Sequence, residues 1–194
     1  MKAAFLTLGC KVNQYETQAI KELFEADGFE IVEPEKRADV LVINSCTVTQ
    51  FGAKKTRQAL RHFKQQNPSS ITVLTGCYPQ AYPEVQSQIP EADVITGTKN
   101  RAELLSLVKT AMSEKKRRVV LSPYSTNFSF EPMKVHAFNE KTRAFVKIED
   151  GCARYCSYCV IPKARGPVRS KSLDSIREEV ASLAEHGHKE IVLV

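Results

Sequence analysis

No apolar run in this 194-residue chain approaches the ~20 residues that a membrane-spanning helix needs. No secretory leader is expected either. Met1 to Cys10 has one Lys, a short apolar stretch and Gly9-Cys10, in the manner of a lipoprotein signal. Its apolar part, Ala3 to Leu8, is shorter than a signal core, and the residues after Cys10 continue into a helical pattern rather than a tether. Without an exporting signal, six cysteines do not read as three disulfides; in a reducing cytosol they read as metal ligands or catalysts. Histidine is scarce: His62, His136, His186 and His188 show no partner pattern, and none stands close to the densest group of cysteines. The bacterial ferredoxin spacing, C-x-x-C-x-x-C with a later Cys-Pro, does not occur.

What is present is a chain that is 42% hydrophobic and 26% charged, as suits a soluble protein of one or two domains. A net charge of +6 suits an anionic partner such as RNA without specifying one. The most informative stretch is Gly151-Cys-Ala-Arg-Tyr-Cys-Ser-Tyr-Cys159, in which Cys152, Cys156 and Cys159 are spaced C-x-x-x-C-x-x-C. A structural zinc site is closed by four ligands, and only three are offered here. Three soft thiolates suit an iron–sulfur cluster that keeps one iron open to another ligand.

Apolar periodicity predicts strands at residues 3–8, 29–32, 39–43, 71–74 and 93–95. Helices are predicted at 13–27, 51–66, 82–88 and 101–113, the third beginning near Pro83. Alternation of this kind is the pattern of a doubly wound parallel α/β sheet. The predicted division is an N-terminal domain over 1–118, a linker over 119–142 and a second βαβ unit over 143–194. That unit comprises a strand at 144–148, the cysteine triplet, a helix at 172–185 and a strand at 191–194. A (β/α) barrel needs well over a hundred further residues, so 143–194 reads as the truncated start of one and the chain as a fragment.

Cys10, Cys46 and Cys77 each fall just past the C-terminal end of a predicted strand. Taken singly, each reads as a small buried core residue. Together, if their strands are neighbours, they stand on the one sheet edge where open α/β sheets bind ligands, as a second three-thiolate set. Gly9 and Gly76, directly before two of them, allow close backbone approach to a bulky group.

These residues resemble a known family. The triplet at 152–159 resembles the cluster loop of radical S-adenosylmethionine enzymes. Leu8-Gly-Cys-Lys-Val-Asn-Gln-Tyr-Glu-Thr17, Ile43-Asn-Ser-Cys-Thr-Val-Thr49 and Thr75-Gly-Cys-Tyr78 resemble the N-terminal domain of methylthiotransferases, and Ile161-Pro-Lys-Ala-Arg-Gly166 resembles the family segment after the third cysteine. Gly9-Cys-Lys-Val-Asn13 is similar to the branch that acts on N6-threonylcarbamoyladenosine in tRNA. The resemblance implies two 4Fe-4S clusters. One, on Cys152, Cys156 and Cys159, would bind S-adenosylmethionine and cleave it to a 5′-deoxyadenosyl radical that takes hydrogen from C2 of the adenine. The auxiliary one, on Cys10, Cys46 and Cys77, would supply or carry the sulfur, which a second S-adenosylmethionine methylates. It further implies tRNA as partner, an electron donor, a sulfur source and a cytoplasmic location. The family's full radical domain and its RNA-binding barrel are not in this sequence, so the fragment alone is expected to be inactive.

Lesser signals keep two readings each. Tyr158 is a contact for the cofactor adenine or an ordinary loop aromatic. Arg165 touches a carboxylate or phosphate, or is a solvated side chain. Asn13 is a helix cap rather than a chemical group. Lys115 to Arg118 is a solvated helix end, favoured by the helix dipole, ahead of an RNA contact. The rivals for the whole are a methylthiotransferase of another branch and a non-enzymatic iron–sulfur or zinc-binding RNA module.

Overall fold

The computed structural model describes residues 1–47, 50–124, 129–138 and 142–194. Its centre is a six-stranded, all-parallel sheet in the order β2-β1-β3-β4-β5-β6. The strands are β1 (Lys2–Thr7), β2 (Glu30–Val32), β3 (Val40–Ser45), β4 (Ile71–Gly76), β5 (Val94–Thr96) and β6 (Arg118–Val120). The helices are α1 (Lys11–Ala26), α2 (Gln50–Gln66), the short α3 (Cys77–Ala81) and α4 (Val85–Gln88), and α5 (Leu104–Glu114) behind a 3-10 turn at Arg101–Glu103.

Both faces of this sheet are covered, so its strands read as near-continuous apolar runs; every residue of β3 is buried. Side chains alternate across the sheet. Ala3, Phe5, Val40, Val42, Val73 and Val94 meet α1 and α5 on one face. Ala4, Leu41, Ile43, Leu74 and Ile95 meet Leu60 and Phe63 of α2, and Val85 of α4, on the other. The apolar stripe of α1 buries Ile20 and Phe24, and Phe24 stacks edge-on against Phe5 at 5.4 Å between centroids.

The second unit follows. Strand β7 (Arg143–Val146) pairs in parallel with β10 (Glu190–Leu193), and β8 (Glu149–Asp150) pairs antiparallel with β9 (Arg169–Ser170). Between them lie the cysteine loop and α6 (Ile161–Arg165); α7 (Leu173–Glu185) precedes β10. Ser172 caps α7, its hydroxyl accepting from the Ser175 amide at 3.3 Å.

Three features differ from the sequence reading. Arg118–Val120, which falls where the charge run meets the expected linker, is the edge strand β6, held by its ladder to β5. Cys77–Ala81 and Ile161–Arg165 are helical turns too short to show a period. Residues 129–138, inside the expected linker, form an extended strap without regular structure that is nonetheless packed, with Met133, Val135 and Phe138 buried. Residues 125–128 and 139–141 of that linker, and Val48 and Thr49 of the motif around Cys46, lie outside the described residues.

The main core does not stop at the first unit. The cluster holding Ala3, Phe5, Ile20 and Phe24 continues through Met133, Val135 and Phe138 into Ala144, Val146 and Leu183. No helix among the described residues is long and apolar enough to cross a membrane.

Candidate metal and cofactor site

Strands β1, β3 and β4 are adjacent, and their C-terminal ends carry the three upstream cysteines on one edge. Cys10 is the residue before α1, Cys46 follows Ser45 at the end of β3, and Cys77 opens α3 directly after β4. The chain winds outward from β1 to β2 and then crosses back to β3, so the topological switch falls between β1 and β3. That is where open α/β sheets leave a crevice for ligands. Cys10 and Cys46 flank it.

Local backbone explains why glycine precedes two of these cysteines. Gly9 has φ +122°, and a Cβ there would come within 3.1 Å of the Cys46 sulfur. Gly76 has φ +100°, and a Cβ would lie 2.5 Å from the Ser45 carbonyl. Both are backbone shapes open essentially to glycine alone.

The environments of the three thiols differ. Cys10 is exposed, Cys46 half-buried and Cys77 buried. Burial pushes the Cys77 thiol up to about 11, against the opposing charge of Arg165.

The downstream loop, residues 151–160, has no regular structure but is closed at its base. The Cys152 amide donates to Gly166 O at 3.0 Å, and the Cys159 amide turns back to Cys156 O at 2.9 Å. A Cβ on Gly151 would fall 2.1 Å from Pro167 O. Tyr155, between the first two cysteines, takes a left-handed φ of +47°. Tyr158 is 90% exposed.

The loop and the sheet edge meet. Cys77 and Ala81 pack against Val160 and Ala164, so the turn that follows Cys159 seals the upstream cysteine from solvent. Among the described residues, no group of three Cys, His, Asp or Glu side chains stands close enough to hold a metal ion. The six cysteines lie in two places, at the sheet edge and in the loop, and an apolar contact of Cys77 and Ala81 with Val160 and Ala164 joins those places.

Behind this contact lies a network of buried charges that periodicity does not reveal. Glu16, fully buried, receives Arg101 at 3.0 Å, Arg165 at 2.9 Å and Lys147 at 2.7 Å. Asp150 receives Lys147 at 2.7 Å, Arg165 at 3.0 Å and Arg169 at 3.2 Å. Glu131 of the strap holds the other side of Arg101 at 3.0 Å. Burial opposes ionisation of Glu16, but Arg101, Arg165 and Lys147 override it and hold its carboxyl well below the usual range. Asp150 is likewise buried and likewise held down, by Lys147 and Arg165.

Arg165, left open between a carboxylate contact and solvation, is therefore buried on two of the protein's own carboxylates. Asn13 is not a cap. The N-cap position is Cys10, which makes no side-chain cap bond. Asn13 sits in the first turn of α1, where its amide donates to Leu8 O and Ser45 O, each at 3.1 Å, and so ties the ends of β1 and β3 together. Lys115 and Lys116 are exposed at the end of α5, as a solvated helix end requires, while Arg117 donates to the carbonyls of Gln86, Ile89 and Ala92. The histidines that find partners do so structurally: His136 pairs with Glu22 at 2.8 Å, and His188 accepts the Phe138 amide at 3.0 Å.

Glu16 and Asp150 carried a usable signal. Glu16 falls on the buried stripe of α1 with Asn13, Ile20 and Phe24, and a carboxylate in such a stripe demands a buried cation.

Comparison with known proteins completes the site. A model of a family described as uncharacterized protein family UPF0004 matches residues 2–97. The threonylcarbamoyladenosine tRNA methylthiotransferase MtaB of Aquifex aeolicus is 40% identical over 193 residues, covering 100% of this chain and 47% of that protein. The protein of the same description from Bacillus subtilis is 42% identical over 190 residues, covering 98% and 42%. The ribosomal protein uS12 methylthiotransferase RimO of Desulfitobacterium hafniense is 34% identical over 198 residues, covering 100% and 44%. The chain thus spans about half the length of the curated relatives it matches.

Proposed function

We propose that the chain belongs to the methylthiotransferase family and that its whole protein adds a methylthio group to C2 of N6-threonylcarbamoyladenosine in tRNA. The observation that supports this reading is the contact of Cys77 and Ala81 at the sheet edge with Val160 and Ala164, in the segment that follows Cys159. A site that transfers sulfur to a carbon activated elsewhere needs two such centres facing one another. The choice of branch rests on Gly9-Cys-Lys-Val-Asn13 and on two relatives of that description at 40% and 42% identity.

Cys152, Cys156 and Cys159 would hold one 4Fe-4S cluster and Cys10, Cys46 and Cys77 the other; three thiolates each suit such clusters in donor softness. When bound, the first supplies one-electron cleavage of S-adenosylmethionine and the second the sulfur that is transferred. The chain's own residues orient and shield. Gly9, Gly76 and Gly151 clear backbone from each set. Ala81, Val160 and Ala164 exclude water at Cys77. Tyr158, exposed beside Cys159, would meet the adenine of S-adenosylmethionine. Residues 1–118 and 143–194 serve as the sulfur-carrying unit and the start of the radical unit, joined by 119–142. The reaction calls for an electron donor and a sulfur source, and the setting is the cytoplasm.

Two measurements test the reading. Anaerobic reconstitution of the whole protein should give about four irons for each cysteine set, and replacing Cys152, Cys156 and Cys159 with Ala should halve the total. A single cluster in the parent, or stoichiometric zinc, overturns the two-centre assignment. Nucleoside analysis of tRNA from a strain lacking the gene should show loss of the methylthio form of threonylcarbamoyladenosine. Persistence of that nucleoside with loss of another overturns the branch.

A further inference from the structure

A continuous run of hydrogen bonds connects the two cysteine sets, and Arg165 is its centre. The Cys10 thiol donates to Asn13 Oδ1 at 3.4 Å, and Arg165 Nη2 donates to that same oxygen at 2.9 Å. Arg165 Nη1 donates to Asp150 Oδ1 at 3.0 Å, and Asp150 Oδ1 in turn accepts the Gly151 amide, next to Cys152, at 2.9 Å. Glu16 fixes the guanidinium from a third direction through both of its oxygens. A planar fork spends its donors on three partners from two elements, Asn13 and Glu16 of α1 and Asp150 of β8, which fixes an angle as well as a distance.

The surroundings leave this fork no freedom. Asn13 and Asn44 brace one another, the Asn44 amide donating to Asn13 O at 3.0 Å, and Asn13 also holds Leu8 and Ser45. On the other side, Arg169 Nη1 donates to Arg165 O at 2.9 Å and also to Pro167 O, so the helix carrying Arg165 is pinned to the base of the cysteine loop. A buried ionic assembly of this size contributes little net stability over well-packed apolar residues. What it supplies is one defined geometry.

We propose that Arg165 is a positioning residue that sets how the two cysteine sites face one another, through Asn13 on one side and Asp150 on the other. It rests on the assignment of the two cysteine sets made above and adds to it the device that aligns them. Alignment matters only for the coupled reaction: radical generation needs one site, whereas methylthio transfer needs both in register.

The test uses the whole protein with Arg165→Lys and Arg165→Gln. Iron and sulfide content in both variants should equal the parent's. Cleavage of S-adenosylmethionine to 5′-deoxyadenosine should continue, while methylthiolated tRNA falls. The ratio of 5′-deoxyadenosine formed to tRNA product should rise on the order of tenfold, with kcat for product reduced and KM for tRNA unchanged. The magnetic interaction between the two reduced clusters, read by electron paramagnetic resonance, should shift in both variants. Before reconstitution, hydrogen exchange should quicken in Arg165→Gln at Gly151–Cys152 and at Leu8–Cys10 together, although those segments lie on different units. An unchanged product ratio with an unchanged magnetic interaction overturns the proposal, as does loss of iron from both variants. Parent protein that binds no iron refutes the cluster assignment separately. In that case the exchange result still decides whether Arg165 joins the two segments.

Discussion

Cys77 and Cys10 stand on one sheet edge yet face opposite conditions. Burial raises the Cys77 thiol to about 11, so at neutral pH it stays protonated and shielded, while Cys10 lies exposed. Alkylation of metal-free protein at pH 7.5, followed by peptide mass analysis, should therefore label Cys10 and Cys156 well before Cys77. Equal rates for all three would contradict the burial. Gly76 is just as restricted: at φ +100° and ψ −159°, with a would-be Cβ 2.5 Å from Asn44 Oδ1 and Ser45 O, it admits no side chain. Gly76→Ala should cost more than about 3 kcal/mol in urea unfolding. Glu16 gives the pH dependence. Its carboxyl is depressed in the folded chain below its unfolded value of 4.5, so its contribution is complete above pH 4.5 and fades as pH falls further. Urea midpoints measured from pH 6 down to pH 3 should drop below about pH 4.5 in the parent. Glu16→Gln should remove part of that slope and itself cost about 3–5 kcal/mol at pH 7, because three buried cations lose a partner.

Among elements, α1 carries the most. Its buried face supplies Asn13 to the strand ends, Glu16 to the charge network and Tyr15 to the strap and α7, the Tyr15 hydroxyl donating to Met133 O and to Glu179 Oε1, both at 2.8 Å. The extents of α1, α2 and strands β1 to β5 were legible from apolar spacing, because each has one buried face or two. The short turns α3 and α6 were not, since five residues contain no repeat. Strand β6 was hidden for a different reason: it is an edge strand of three residues, and Arg118 and Val119 leave no alternation to read. Helix α7 was legible to its cap. Ser172→Ala removes an acceptor for the Ser175 amide and should lower thermal stability by about 1 kcal/mol. No change would show that the chain end there is satisfied by water.

At the scale of the whole molecule, one apolar core runs from the sheet face of β1 and β3 through the strap to β7 and α7. Phe138 is its hinge, stacked edge-on with Phe145 at 5.7 Å. The two units should consequently unfold in one cooperative transition, with circular dichroism and tyrosine fluorescence coinciding in denaturant. Phe138→Ala should cost about 3–5 kcal/mol and, by cutting the bridge, separate those transitions. Two transitions in the parent would refute the shared core.

Sequence alone determined what depends on nearest neighbours and on repeat: the alternating elements, the glycine-before-cysteine steps, and the spacing of Cys152, Cys156 and Cys159. Those are local properties, written in periods of two and 3.6 residues or in direct adjacency. Only the tertiary structure decided that β1, β3 and β4 are neighbours, that Cys77 closes against Val160 and Ala164, and that Glu16, Arg165 and Asp150 meet although 149 and 15 residues separate Arg165 from its partners. A buried charge and an exposed one look alike in a string of letters. Which of them a residue becomes is set by what the folded chain places opposite it, and in this protein that placement joins α1 to the segment after the cysteine loop.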